Sequence, residues 1–209
     1  MAYAVEETQV VMCLTMDYGQ LAAEQEITAS AAFAKHYNLP HRLISLPFLR
    51  EISPAAIVKN TDEIPEPNSD SLSDQELATI NTAKLWVPNR NALFINIAAA
   101  YAESSGADLV VTGFNKEEAT TFPDNSYEFV QAMNTTLSYS TMNKIRLISY
   151  TQRMNKEDIL QLGQRLSLPM QYIWSCYRGE PKMCGKCISC LRLLRAAKTV
   201  GIDPSFFAF

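Results

Sequence analysis

Four cysteines fall within fifteen residues near the C-terminus: Cys176, Cys184, Cys187 and Cys190. No other feature of the chain limits its fold as tightly. Seven residues lie between the first and second cysteine, and gaps of two separate the rest. Short Cys-x-x-Cys turns aim two thiolates at one centre, and soft sulfur ligands in a tetrahedron suit zinc or an iron–sulfur cluster. Four protein ligands leave no position for a water, so the spacing predicts a structural zinc ion rather than a catalytic one. Arg178, Lys182, Lys186 and Arg192 flank the cluster and can offset its thiolate charge. The remaining cysteine, Cys13, stands in an apolar run and reads as a small buried hydrophobe.

Upstream of that block, strand and helix signals alternate. Val10 to Met16 is a short run of strand formers closed by Asp17-Tyr18-Gly19, and Gln20 to Tyr37 has helical spacing that ends at Asn38-Leu39-Pro40. Arg42 to Leu46, Asp108 to Thr112 and Lys144 to Ser149 read as further strands. Helices are expected over Asn91–Ser105, Glu128–Leu137, Lys156–Leu166 and Leu191–Val200, with Gly106 and Gly201 as stops. Pro47 to about Leu77 has no sustained period and is expected to be a long loop or lid; a polar loop is expected from Gly113 to Asn125. This alternation predicts an α/β fold with a parallel sheet, whose ligands sit beyond the C-terminal ends of the strands.

Composition narrows the function classes. A chain of 209 residues with formal net charge -4 can bury one substantial core, and it lacks the clustered basic footprint of a direct nucleic-acid binder. It has no apolar run of membrane-spanning length and no signal-peptide pattern, so a cytoplasmic setting with reduced thiols is expected.

Three polar segments fall where an α/β site is expected. Asp17-Tyr18-Gly19-Gln20 follows a strand. Val87-Pro88-Asn89-Arg90-Asn91 precedes a helix, whose free N–H groups favour anions, and Arg90 can grip a phosphate or carboxylate with two prongs. Gly113-Phe114-Asn115 leads through Glu117 and Glu118 to Phe122-Pro123-Asp124-Asn125-Ser126, a loop able to hold magnesium or read a base edge, although Asx residues beside proline also make plain turns. In this order, and followed by Ser175-Cys176-Tyr177 and Cys184-Gly185-x-Cys187-x-Ser189-Cys190, the segments resemble the 7-cyano-7-deazaguanine synthase family of PP-loop ATP pyrophosphatases. The resemblance runs from about Val10 to the C-terminus.

That resemblance implies a doubly wound, Rossmann-like parallel sheet of the adenine-nucleotide α-hydrolase kind over residues 1–170, with a zinc-binding helical segment over 171–209 packed on it. It implies a ligase of queuosine and archaeosine biosynthesis. Such an enzyme converts 7-carboxy-7-deazaguanine and ammonia to the nitrile, with ATP and Mg²⁺ adenylating first the acid and then the amide. It implies Arg90, Asn91 and Asp124 as catalytic residues, with Arg90 and Asn91 at phosphate or substrate and Asp124 near the base or metal. Asp17 and Asn115 would contact the nucleotide, Cys176, Cys184, Cys187 and Cys190 would hold Zn²⁺, and the assembly would be a homodimer. Two departures stand out: the family usually has glycine where this chain has Asn89, and its loop commonly continues differently from Asn125-Ser126.

A larger departure is the absence of the family's Ser-Gly-Gly-x-Asp-Ser loop, which cradles the ATP phosphates through backbone N–H groups; none of the seven glycines here are adjacent. Met1 to Glu7 resembles the tail of the helix that follows that loop, so an N-terminally shortened enzyme with little ATP turnover is expected. Without the central strand of the sheet, two strand pairs would remain, about 9–10 Å apart. Two alternatives remain open. One is another PP-loop pyrophosphatase acting on tRNA or a small molecule; the other is a non-catalytic, zinc-stabilised protein.

Overall fold

The computed structural model describes residues 1–59, 61–67 and 82–209. In chain order its main elements are α1 (Ala2–Glu7), β1 (Cys13–Asp17), α2 (Ala23–His36), β2 (His41–Ser45), α3 (Phe48–Ile52), α4 (Ala56–Lys59) and α5 (Arg90–Ser104). These are followed by β3 (Leu109–Thr112), α6 (Lys116–Ala119), α7 (Tyr127–Ser140), β4 (Arg146–Ser149), α8 (Lys156–Arg165) and α9 (Ile188–Val200). The strands pair in parallel, β1 with β2 and β3 with β4, as two separate pairs of the expected α/β kind. Parallel neighbours need a crossover, supplied by α2 in the first pair and by α6 and α7 in the second.

Two compact units result. The first joins Met1–Val11 to Asn89–Asn155, and the second joins Met12–Pro88 to Lys156–Phe209. In the first, α5 turns Asn91, Ile95, Ala99 and Ala102 inward at spacings of four, four and three, the stripe of an amphipathic helix. Helix α7 starts where the Ser126 hydroxyl accepts from the Phe129 N–H at 3.1 Å, and it buries Val130, Met133 and Leu137. These faces close over Val110, Ile145 and Leu147 of the strand pair. Leu137 is fully buried, so Leu137→Ala removes about 2–5 kcal/mol.

In the second unit the core gathers Leu160 of α8, Leu193, Ala196 and Ala197 of α9, and Ile202 and Phe207 beyond it. Cys176, Cys187 and Cys190 belong to the same cluster, so three of the four candidate metal ligands are part of this core rather than an appendage to it. Gly201 ends α9 at φ +72, a left-handed cap that glycine adopts without a Cβ clash.

Several boundaries differ from the sequence reading. β1 begins at Cys13 rather than Val10. The region read as a long loop from Pro47 holds α3 and α4, which at five and four residues are too short to show a helical period; residue 60 and residues 68–77 of that stretch lie outside the described part. The polar loop before Asn125 contains α6 and a 3₁₀ turn over Pro123–Asn125. Among the described residues no helix is long and apolar enough to cross a membrane.

Candidate functional site

The sulfur atoms of Cys176, Cys184, Cys187 and Cys190 all lie within 4.8 Å of one another. Cys184 and Cys190 approach to 4.0 Å, close to the ~3.8 Å edge of a tetrahedron built on Zn–S bonds of about 2.3 Å. Backbone N–H groups already support the sulfurs. Arg178 and Cys184 donate to Cys176 Sγ at 3.3 and 3.4 Å, and Cys187 and Lys186 donate to Cys184 Sγ at 3.3 and 3.4 Å. Gly185 takes φ +68 in the turn between two of the ligands, where a side chain would be strained.

The three buried thiols hydrogen-bond to one another. Hydrogen bonds from Cys176 and Cys190 lower the Cys187 pKa, while Cys176 is pushed up by its bond to Cys187, and Cys190 by its bond to Cys176. Such a donor set fits Zn²⁺, which would replace the thiol protons and hold the turn, the 176–184 loop and the start of α9 as one piece. Of the four cations that the sequence places around the cluster, Arg178 acts on it directly. Its guanidinium pairs with Glu66 at 2.6 Å and lies in the field of the Cys184 sulfur.

The first unit assembles three of the expected polar residues. Arg90 opens α5, and its Nε donates to Asn91 Oδ1 at 3.3 Å; Asn91 Nδ2 donates to the Asp124 carbonyl oxygen at 3.4 Å. Arg90 also lies over the Phe94 ring, 5.9 Å from its centroid. Burial raises the Asp124 pKa above the usual carboxylate value, against the opposing pull of Arg90 and of the Asn125 amide that donates to its Oδ1 at 3.1 Å. Asn89, just before the helix, sits in the left-handed region at φ 55 and ψ 21. Asparagine is among the few non-glycine residues that tolerate this region, which gives the departure from glycine at this position a conformational reason.

The other two expected residues have local duties. Asn115 is buried and caps α6, its Oδ1 accepting from the Glu118 N–H at 3.0 Å. Asp17 ends β1 in the second unit, and its Oδ1 accepts from the Gly19 N–H at 3.0 Å. Three participants escaped the sequence reading. The Gln152 amide donates to the Asn125 carbonyl oxygen at 2.7 Å, and the Ser149 and Thr151 hydroxyls both donate to the Phe114 carbonyl oxygen, at 2.8 and 2.7 Å. Their signal was available, since Ser149 ends the parallel strand β4 and Thr151 and Gln152 follow it. Ser149 and Gln152 also line an open cavity of about 840 Å³ that runs between β4 and α7.

A family profile described as queuosine biosynthesis protein QueC matches residues 1–201. The chain belongs to the QueC family. A 7-cyano-7-deazaguanine synthase of Pelotomaculum thermopropionicum is 55% identical over 203 residues, covering 97% of this chain and 92% of that protein. One from Desulforamulus reducens is 51% identical over 203 residues, covering 97% and 89%. A 7-cyano-7-deazaguanine synthase of Methanosarcina mazei is 40% identical over 208 residues, covering 98% and 90%. As a QueC family member the chain has the α/β architecture with parallel strands and a C-terminal cluster of four cysteines able to bind zinc.

Proposed function

We propose that the chain is a carbon–nitrogen ligase that makes 7-cyano-7-deazaguanine from 7-carboxy-7-deazaguanine and ammonia, driven by ATP. The observation that carries this is the QueC match over residues 1–201, together with relatives that bear that synthase's name at 40–55% identity. ATP adenylates the carboxylate and releases pyrophosphate, and ammonia displaces AMP to give the amide. A second ATP adenylates the amide oxygen, again releasing pyrophosphate, before AMP and a proton leave to give the nitrile. Both substrate oxygens depart on AMP, so the atoms balance without a redox partner.

Arg90 and Asn91 at the head of α5 hold the anionic phosphate or carboxylate, the role that a fixed cation at a helix start serves best. Asp124 lies near the base or the metal, and Asp17 and Asn115 contact the nucleotide, whose phosphates carry Mg²⁺. Residues 1–170 supply the nucleotide-binding part and 171–209 the zinc-binding segment, with two copies forming a homodimer. Zn²⁺ on the four cysteines serves folding alone.

The test is to incubate the protein with ATP, Mg²⁺, ammonium and 7-carboxy-7-deazaguanine and to follow the nitrile by mass spectrometry. A second form carries a Ser-Gly-Gly-x-Asp-Ser loop ahead of Met1. Nitrile from the extended form, with little from the 209-residue chain, supports both the ligase and its need for that loop. No nitrile from either form defeats the ligase and favours a non-catalytic, zinc-stabilised protein.

A further inference from the structure

The turn after β4 braces both polar loops of the first unit. Ser149 and Thr151 hold the Phe114 carbonyl from two sides, and the Met154 carbonyl accepts from the Lys116 N–H at 2.9 Å. Gln152 completes the brace. Its Nε2 donates to the Asn125 carbonyl oxygen at 2.7 Å, and Asn125 in turn donates from Nδ2 to Asp124 Oδ1 at 3.1 Å.

The amide of Gln152 has one orientation that works. Turned over, its carbonyl oxygen would face the Asn125 carbonyl oxygen, so the donor end must point to Asn125. Its Oε1 is then shielded from solvent, with no hydrogen-bond partner among the described residues. A buried acceptor left unmade weakens a fold, and a leucine or methionine here would avoid that loss. What the glutamine contributes is the donor end, which grips the turn that presents Asp124.

We propose that Gln152 is a positioning residue: through Asn125 it holds the Pro123–Asn125 turn so that the Asp124 carboxylate stays beside Arg90. This rests on the reading of Asp124 as a site residue. The charged groups acting on Asp124 are Arg90 from α5 and Glu118 from α6, the first favouring its ionised form and the second opposing it. When the turn loosens, the Asn125 amide leaves Oδ1 and Arg90 loses its registration, and both changes disfavour the carboxylate.

The experiment is a carbon-13 NMR titration of the Asp124 carboxyl in the full chain, comparing wild type with Gln152→Met, Asn125→Ala and the double variant. Gln152→Met keeps the side-chain length and removes the donor. The expected result is an upward move of the Asp124 midpoint by ~0.5 unit or more in each single variant. The double variant should move it further than Asn125→Ala alone, because Gln152 holds the Asn125 backbone carbonyl, which alanine retains, and its loss also releases the turn from Arg90. A midpoint unchanged in Gln152→Met overturns the proposal, whether or not Asn125→Ala moves it, since a merely structural role lowers thermal stability without moving this signal. If the methionine variant does not fold, Gln152→Asn, which keeps the amide but cannot reach, replaces it under the same criteria. Failure of the underlying reading shows elsewhere: Asp124→Asn with full nitrile-forming turnover in the loop-extended form removes Asp124 from the chemistry and leaves the titration result standing.

Discussion

The Asn134 side chain bonds both backbone groups of Leu147, donating to its carbonyl oxygen at 2.9 Å and accepting from its N–H at 2.8 Å. Helix α7 thus stands in for a neighbouring strand along the edge of β4 that faces away from β3. The Ile145 N–H on the same edge donates to Thr141 Oγ1 at 2.9 Å. An open parallel edge is a template for pairing with another chain, and here side chains occupy it. Asn134→Leu fills similar volume but leaves two half-buried backbone groups unmade. It should lower stability by about 2 kcal/mol and make the protein associate at high concentration. Urea unfolding with light scattering checks both; unchanged stability would mean that water replaces the amide at no loss.

The cysteine cluster makes a prediction with a definite pH sign. Hydrogen bonding to their neighbours pushes the Cys176 and Cys190 thiols up, and zinc takes thiolate ligands, so binding should release protons. Affinity should therefore fall as pH falls, roughly tenfold or more per unit near neutrality where more than one proton is released. Competition against a colorimetric chelator between pH 6 and 8 measures this. Because the cysteines share a core with Leu193, Ala196 and Phe207, removing the metal should also lower Tm by ~10 °C. An unchanged Tm after demonstrated loss of zinc would mean that the packing of α9 holds this unit without the ion.

Asn89 allows a sharp test of backbone strain. At φ 55 it occupies the conformation where glycine is unstrained and a β-branched residue is not. Asn89→Gly should leave stability within about 0.5 kcal/mol of wild type, and Asn89→Val should lower it by about 1–2 kcal/mol. Thermal melts of the two variants separate these cases. Equal losses in both would point to the asparagine side chain rather than to the backbone.

What the sequence disclosed depended on the range of the interaction. The four cysteines were legible because their ligand spacing is local, and α5 and α9 because a helix repeats its apolar positions over several turns. The alternation of strands and helices was legible for the same reason; that the strands form two pairs was implied only by the family resemblance, and which strands pair came from the structure. The short helices after Pro47 were not, since five residues carry less than two turns of pattern. Nor was the bond from Gln152 to Asn125, which spans 27 positions and leaves no periodic trace. Asn115 was legible as polar and loop-borne, but its duty as the cap of α6 appears only with the Glu118 N–H placed against it.

Burial of the Asp124 carboxyl makes stability depend on pH. Its folded pKa stands above the ordinary value of 3.8, chiefly because burial disfavours the charge. A raised carboxyl pKa means that the folded state prefers the protonated form, so the favourable contribution is present below pH 3.8 and is lost as pH rises through the folded pKa. At pH 7 the ionised side chain therefore weakens the fold. Asp124→Asn keeps an oxygen that can accept from Asn125 and removes the charge. It should raise stability slightly at pH 7, with the difference shrinking as pH falls toward 4 and vanishing below the ordinary carboxyl value. In the loop-extended form the same substitution should reduce nitrile formation about 100-fold, the usual scale for removing one electrostatic group from a reacting centre. Paired urea titrations at pH 4 and 7 read the first effect. A variant less stable at pH 7 would mean that Arg90 and the Asn125 amide outweigh burial, and the carboxylate would then be part of what holds this turn together.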